Sequence, residues 1–399
     1  MPLATGTGKL ASIEDALDAF LGLVRPVDRV ARVELDYVDN RVLAEDIVAS
    51  RDYPHYDRSF RDGYAVRSAD TAGCRPGSGV LLALAEGSLV GTGQCKAVHT
   101  GSELPEGADA VVEVEHTRAE GGEVCILKEA RPGDNYTPRG EIIGRGDPVF
   151  RAGLQLKPTN IALLATLGMA SVAVYERPRV LVVPTGDELV ERGKMAGAGA
   201  INESNGLMCQ LLVRRYGGKP VVWDIVRDDP EKLAEAMRAG LEYDLIVTTG
   251  GTSVGRRDLM PGLVAAMGRV VVQGVGMRPG RPVGMGYVEE GSKRAPVVFL
   301  PGFPDACAAG AMFFVQHAVR KLGRYPPMRY AQGSAVLAAE ASGQRAARSI
   351  VKVRVCDGEA TPVGMVGPAP EGGEYAYLIV PEGGGGLRGG QRVDLLFME

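Results

Sequence analysis

Asp244-Leu-Ile-Val-Thr-Thr-Gly-Gly-Thr-Ser-Val-Gly-Arg-Arg-Asp258 reads as a strand running into a loop of glycines and hydroxyls and then into a helix. Its apolar run is short, continuous and β-branched, as a strand covered on both faces requires. The loop offers backbone N–H groups to an anion, and it also suits a plain strand-to-helix turn capped by Ser253 or Asp258. It is neither a G-x-x-x-x-G-K-[ST] loop nor a G-x-G-x-x-G fingerprint, so neither a nucleoside triphosphate nor a dinucleotide is implied. On either side, Arg179 to Pro184, Val270 to Val275 and Pro296 to Leu300 repeat the strand pattern. Helical patterns lie between them at Asn205 to Tyr216, Pro230 to Leu241 and Arg257 to Met267, and Asp305 to Leu322 closes the unit. This alternation predicts a three-layer α/β domain with a mostly parallel sheet, whose ligands sit beyond the carboxyl ends of its strands.

Elsewhere the pattern changes. Ser12 followed by Asp15 is a capping pattern ahead of an amphipathic run, Ile13, Leu17, Phe20, Leu21 and Val24, so the chain opens with a helix. From about Asp36 to Pro148, short apolar segments alternate with Gly-Asp and Pro-Gly turns, which predicts a β-rich region. Pro158 starts a helix, Ser171 to Tyr175 is a strand, and beyond Tyr325-Pro326-Pro327 only short strand-like pieces remain. That tail is expected to be a separate small β domain.

At 399 residues the chain is long enough for two to four domains of roughly 100–200 residues each. The 55 glycines are about twice the usual share of roughly 7% and imply many tight backbone turns. With 45 basic and 49 acidic residues there is no broad positive field for nucleic acid. Six scattered cysteines without a C-x-x-C pair fit neither a disulfide framework nor a zinc cage, and a reducing cytoplasm is the expected setting. The longest uncharged stretch, Pro158 to Tyr175, is broken by Gly168 and Ser171 and is no bilayer span, and no export signal is visible, so a membrane partner is not expected. The four histidines have no ligand spacing and no Ser/His/Asp order stands out, so covalent catalysis is unsupported.

Three further loops follow strands of the α/β unit: Pro184-Thr-Gly-Asp-Glu188, Arg227-Asp-Asp-Pro230 and Leu300-Pro-Gly-Phe-Pro304. In such a sheet Glu188, Asp228 and Asp258 face one crevice and would suit Mg2+, which takes one or two carboxylates and completes its shell with water and phosphate oxygens. Equally, Asp228 and Asp258 would serve as caps of the helices they precede. Met277-Arg-Pro-Gly-Arg-Pro282 sets Arg278 and Arg281 on a stiff turn, suited to an oxyanion or simply solvated. In the β-rich region, Ser59 to Val66 and His99 to Val111 read as hairpin loops, with Asp62-Gly63 as a turn pair.

Taken in order, Arg58-Ser-Phe-Arg-Asp-Gly-Tyr-Ala-Val-Arg67, Thr100-Gly-Ser-Glu-Leu-Pro-Glu-Gly-Ala-Asp-Ala-Val-Val112, Pro184-Thr-Gly-Asp-Glu-Leu189, Thr249-Gly-Gly-Thr-Ser-Val-Gly255, Met277-Arg-Pro-Gly-Arg-Pro282 and Leu300-Pro-Gly-Phe-Pro304 resemble the MoeA family, the molybdopterin molybdenumtransferases, to which the C-terminal domain of gephyrin is related. The resemblance spans nearly the whole chain. It implies four domains: a discontinuous linking domain (1–50 and 141–177), a β-rich domain (51–140), the α/β molybdopterin-binding domain (178–326) and a C-terminal β-barrel-like domain (327–399). It further implies a homodimer whose active cleft is shared between subunits. The substrates would be adenylated molybdopterin and molybdate or tungstate, with Mg2+ assisting cleavage of the adenylate and release of AMP. An enzyme that supplies the adenylyl-molybdopterin and acceptor molybdoenzymes are the expected partners.

By motif position, the resemblance implies that Asp62, Thr100, Glu188, Asp228 and Asp258 carry the activity, the last three of them at the metal. Gly250, Gly251, Thr252, Ser253, Gly255, Pro301 and Pro304 are expected at the substrate, and Arg278 and Arg281 stand where the family usually has two lysines near the oxyanion. A rival expectation is a paralogue that binds molybdopterin or a partner protein as a scaffold without inserting metal.

Overall fold

The computed structural model describes residues 10–195, 197–251, 259–366 and 372–397. Contacts divide the chain into two compact units. Val33–Asp39 with Leu43–Val172 form one, and the residues up to Arg32, Asn40–Val42 and those from Ala173 onward form the other. Among the described residues no helix is long and apolar enough to cross a membrane.

The smaller unit is built on a six-stranded sheet: β1 (Gly63–Val66), β2 (Val80–Leu84), β3 (Gln94–Val98), β4 (Ala110–Glu113), β5 (Thr117–Glu120) and β6 (Glu123–Ile126), in spatial order β4-β1-β3-β2-β6-β5. The period-2 alternation separates its two faces. Val66, Cys95 and Val112 pack with Leu82, Val124 and Ile126 on one side, whereas Ala65, Val98 and Val111 pack with Leu104 on the other. The expected Asp62-Gly63 turn pair is corrected here. Gly63 opens β1 and pairs with both Val98 and Glu113, and a Cβ on it would lie 2.0 Å from the Val112 carbonyl oxygen. Glycine is needed there for close backbone approach and not to make a turn.

In the larger unit the sheet contains β7 (Arg179–Pro184), β8 (Lys219–Val222), β9 (Leu245–Thr249), β10 (Gly268–Gln273), β11 (Gly284–Glu290) and β12 (Lys293–Leu300), in the order β8-β7-β9-β12-β11-β10. β8, β7, β9 and β12 are mutually parallel. The run that the sequence presents as one more parallel repeat contains an additional strand: β11 is antiparallel to both β12 and β10. Only Gly291 and Ser292 separate β11 from β12, and so short a link joins antiparallel strands alone. Two reversals leave β10 running in the same direction as β7, β9 and β12, so its carboxyl end reaches the same edge.

Strand side chains alternate into two apolar layers. Val180, Val182 and Val247 pack with Cys209 and Val213 of α3 (Asn205–Arg215) and with Phe314, Val315 and Val319 of the helical segment running from Pro304 to Leu322. A five-residue π-helical stretch, Ala311–Val315, lies inside that segment. Leu181, Val183 and Ile246 face the other way, onto Leu233 and Met237 of α4 (Pro230–Gly240) and Met260 and Val264 of α5 (Leu259–Met267). Each fully buried Val, Leu or Met contributes about 1.5–3 kcal/mol against exposure, and these two layers hold the strand ends in register.

α1 (Ile13–Leu21) starts as expected, with the Ser12 hydroxyl accepting from Asp15 N at 3.0 Å. Its packing differs from the implied grouping with residues 141–177, because Ile13, Ala16 and Phe20 join the same apolar layer as Val180 and Val247. The amphipathic stripe needs a large apolar surface, and the α/β layer provides one.

The tail forms β13 (Ala331–Leu337), β14 (Arg348–Cys356), β15 (Glu359–Val363), β16 (Glu374–Val380) and β17 (Arg392–Phe397). Pairings run β14-β15-β13-β17-β16 and back to β14, which closes the strands into a ring around Leu337, Val353, Ala376, Leu378 and Leu395. Among the described residues each of these strands has a paired neighbour on both sides, as in a closed sheet.

Candidate functional site

At the carboxyl edge of the larger sheet, Pro184, Thr249 and Leu300 stand side by side as the last residues of β7, β9 and β12. The loops that follow are hydrogen-bonded to one another. Thr185 donates to the Thr249 carbonyl through its N–H at 2.8 Å and its hydroxyl at 3.1 Å. Gly250 N donates to the Leu300 carbonyl at 2.9 Å, and Gly186 N to the Val226 carbonyl at 3.0 Å. The Pro301 to Pro304 loop is held in turn by Asn205, whose Nδ2 donates to the Gly302 carbonyl at 2.8 Å. Four loops therefore leave one edge as a linked set. Gly250 and Gly251 both have positive φ (99° and 65°), and Pro304 begins the helix after the proline loop.

Carboxylates line the same edge. Glu188 is exposed, and the Asp187 carboxylate accepts from Asp228 N at 3.1 Å, while the Arg227 guanidinium donates to the Asp187 carbonyl. Asp187 thus ties the loop bearing Glu188 to the loop bearing Asp228. The alternative reading of Asp228 as a cap is corrected: α4 is capped by its neighbour Asp229, whose carboxylate accepts from Glu231 N at 2.9 Å and Lys232 N at 3.3 Å. Thr252, Ser253, Gly255 and Asp258 lie outside the described residues, and among the described residues no group of three His, Cys, Asp or Glu side chains is placed to hold a metal. The donor chemistry that is present, carboxylate oxygens on adjoining loops, suits Mg2+, which is satisfied by one or two carboxylates.

Arg278 and Arg281 are exposed at the same edge, on the connection between β10 and β11. That connection is folded by hydrogen bonds from Val275 N to the Arg281 carbonyl and from Val283 N to the Gly280 carbonyl, both 3.0 Å, and Met277–Arg278 pairs with Arg348–Ser349 of β14. In the first turn of the helix after the proline loop, the Asp305 carboxylate accepts from Val366 N at 2.8 Å, so its charge is partly satisfied by backbone.

In the smaller unit, two residues distant in sequence meet. Asp62, at the head of β1, accepts from Thr100 N at 2.7 Å, and His99 Nδ1 lies 3.9 Å from the same carboxylate. The antiparallel pairing of Gly63 with Val98 accounts for the meeting, because it sets the residue before β1 beside the residues after β3. Hydrogen bonds from the Thr100 backbone and then its hydroxyl hold the Asp62 carboxyl below the usual carboxylate range, with a smaller contribution from His99. Sequence reading gave no separate role to Asp187 or Asn205. The Ser204-Asn205 pair at a helix start was a visible signal, but the 97-residue reach from Asn205 to Gly302 was not.

Family models for the MoeA N-terminal region (domains I and II) and for a molybdopterin binding domain match residues 11–168 and 181–321. A molybdopterin biosynthesis protein of Methanocaldococcus jannaschii is 32% identical over 382 residues, 92% of each chain. Molybdopterin molybdenumtransferases of a Nostoc species and of Staphylococcus aureus are 33% and 35% identical, covering 79% and 73% of this chain and 75% and 71% of theirs. The crystal structure of the Pyrococcus horikoshii MoeA protein superposes with a TM-score of 0.80 at 27% identity, covering 98% of this chain and all of that one. With matches of this extent in sequence and fold, the chain belongs to the MoeA family, the molybdopterin molybdenumtransferases of molybdenum cofactor biosynthesis.

Proposed function

We propose that the enzyme inserts molybdate or tungstate into adenylated molybdopterin, cleaving the adenylate and releasing AMP. The observation that carries this reading is the linked set of loops at the ends of β7, β9 and β12, which collects glycine backbone, Glu188 and Asp228 along one edge and ends at Arg278 and Arg281. A pyrophosphate beside an oxyanion needs close N–H approach and fixed cations to offset repulsion. Gly250 and Gly251 supply backbone without a Cβ in the way, and the two guanidinium groups supply charge at the oxyanion end. Glu188 and Asp228, with Asp258, would hold Mg2+, which when bound polarises a phosphoryl oxygen.

No protein nucleophile is required. The dithiolene sulfurs replace one molybdate oxygen, which leaves as water with the two thiol protons, and a water molecule attacks the adenylate phosphorus, so that the P–O bond to the molybdopterin phosphate breaks and gives AMP and the free molybdopterin phosphate. The chain's own contribution is positioning, for which Asp187 and Asn205 hold two of the loops in place. Asp62 and Thr100 act from the β-rich domain of the partner subunit of a cytoplasmic homodimer, with the paired Asp62 carboxylate presented as an anion.

Purified protein mixed with adenylated molybdopterin, molybdate and magnesium should release AMP in a molybdate-dependent manner. Tight pterin binding with no such release identifies a scaffold and overturns the reading.

A further inference from the structure

A cavity of about 760 Å³ opens at the β8 end of the sheet edge, walled by Pro184, Val190, Trp223 and Ile225 and edged by Arg192 and Asp224. Its size falls in the range of roughly 300–1,000 Å³ typical of small-molecule sites, and charged side chains, among them Glu191, Lys194 and Glu203, line it alongside the apolar wall that Trp223 belongs to. Trp223 follows β8 directly and donates its N–H to the Val182 carbonyl at 2.8 Å, which fixes its backbone on the sheet edge while its ring remains partly exposed. The cavity adjoins the acidic loops through its own walls: Pro184 and Leu189 flank Glu188, and Arg227 precedes Asp228. In the order β8-β7-β9-β12-β11-β10, this cavity and the Arg278/Arg281 turn occupy opposite ends of one edge, with Gly250 and Glu188 between them. Five strand intervals of about 4.8 Å span roughly 24 Å, room for an extended dinucleotide-like substrate.

We propose that this cavity receives the adenine base of the substrate, stacked on the Trp223 indole, with Asp224 accepting from the exocyclic amine. The assignment rests on the function proposed above. It orients the substrate: the base lies at the β8 end, the pyrophosphate at Gly250 and Glu188, and the dithiolene toward Arg278 and Arg281. A flat base on an indole face is the stacking used by sequence-tolerant nucleotide sites.

Trp223 is the sole tryptophan of the chain, so its fluorescence reports the cavity directly. Titration of the unmodified protein with AMP should quench it saturably, whereas ribose 5-phosphate should not. Trp223→Ala should weaken AMP binding in a competition assay by about 10-fold, within the range measured for loss of base stacking, and Trp223→Phe should restore most of it. No AMP-dependent quenching alongside intact molybdate-dependent AMP release would overturn the base site and leave the proposed reaction standing. Quenching by AMP without any molybdate-dependent release would leave the base site standing and remove the reaction. Quenching by 6-hydroxymethylpterin in place of AMP would reverse the proposed orientation and overturn the assignment.

Discussion

Replacing Gly250 by Ala tests whether the linked loops at the sheet edge set both stability and chemistry. An added Cβ would lie 2.2 Å from the Thr185 carbonyl oxygen and 2.9 Å from its hydroxyl. The first contact is with backbone, so no rotamer change relieves it, and the ends of β7 and β9 must part. That disturbs the two hydrogen bonds from Thr185 to Thr249 and the one from Gly250 to Leu300. Positive φ in a non-glycine residue costs about 1–2 kcal/mol, and overpacking against a fixed neighbour adds about 1–3 kcal/mol. A total of about 2–5 kcal/mol corresponds to a melting temperature lower by about 4–20 °C for a domain of about 150–250 residues. Molybdate-dependent AMP release should fall about 100-fold, the scale of a small misplacement of reacting groups. Differential scanning calorimetry and an AMP-release assay measure the two quantities. Gly262, helical in α5 with nothing near its added Cβ, is the control: Gly262→Ala should raise stability by roughly 0.5–1 kcal/mol and leave activity alone. Adding Thr185→Ala to Gly250→Ala removes only the hydroxyl contact and should recover little. A Gly250→Ala protein with unchanged melting temperature and full AMP release would refute the reasoning.

Three further outcomes are expected. Asp62→Asn should lower AMP release at least about 10-fold and lower the melting temperature at neutral pH by a small, measurable amount. Because the Asp62 carboxyl titrates below its unfolded value of about 3.9, its stabilising contribution is present above that value and is lost as pH falls through the folded one, so the difference in melting temperature between the two proteins should vanish in acid. Adjacent aspartates should separate by role: Asp229→Ala should cost about 1 kcal/mol by calorimetry through loss of the α4 cap and spare activity, and Asp228→Asn should do the reverse. Arg281→Ala should raise the molybdate concentration needed for half-maximal AMP release about 10-fold while pterin binding measured by calorimetry persists, and an unchanged molybdate requirement would remove the oxyanion role.

What sequence could and could not show follows from which interactions are local. The parallel strands β7, β9 and β12 are continuous apolar runs because both of their faces are covered, and such runs are visible without knowing their neighbours. β11 escaped because Gly284-Met-Gly-Tyr-Val-Glu-Glu290 lacks a β-branched run, and its glycines are required by contacts made across the sheet: a Cβ on Gly284 would meet the Phe299 ring, and one on Gly286 the Arg269 carbonyl. Its existence is therefore written in pairings, not in its own periodicity. The Asp228 and Asp229 ambiguity is of another kind, since both residues lie at the start of one helix and only geometry decides which carboxylate turns back onto the N–H groups. Asp62 and Thr100 show the limit most plainly. Each stands in a recognisable motif, but their mutual hydrogen bond exists only because β1 and β3 pair in one register, and a one-residue slip would send the two side chains to opposite faces. The β1–β3 ladder is thus part of the candidate site, and Gly63, which lets β1 approach β4 at 2.0 Å from a missing Cβ, holds Asp62 in place although it carries no chemistry itself.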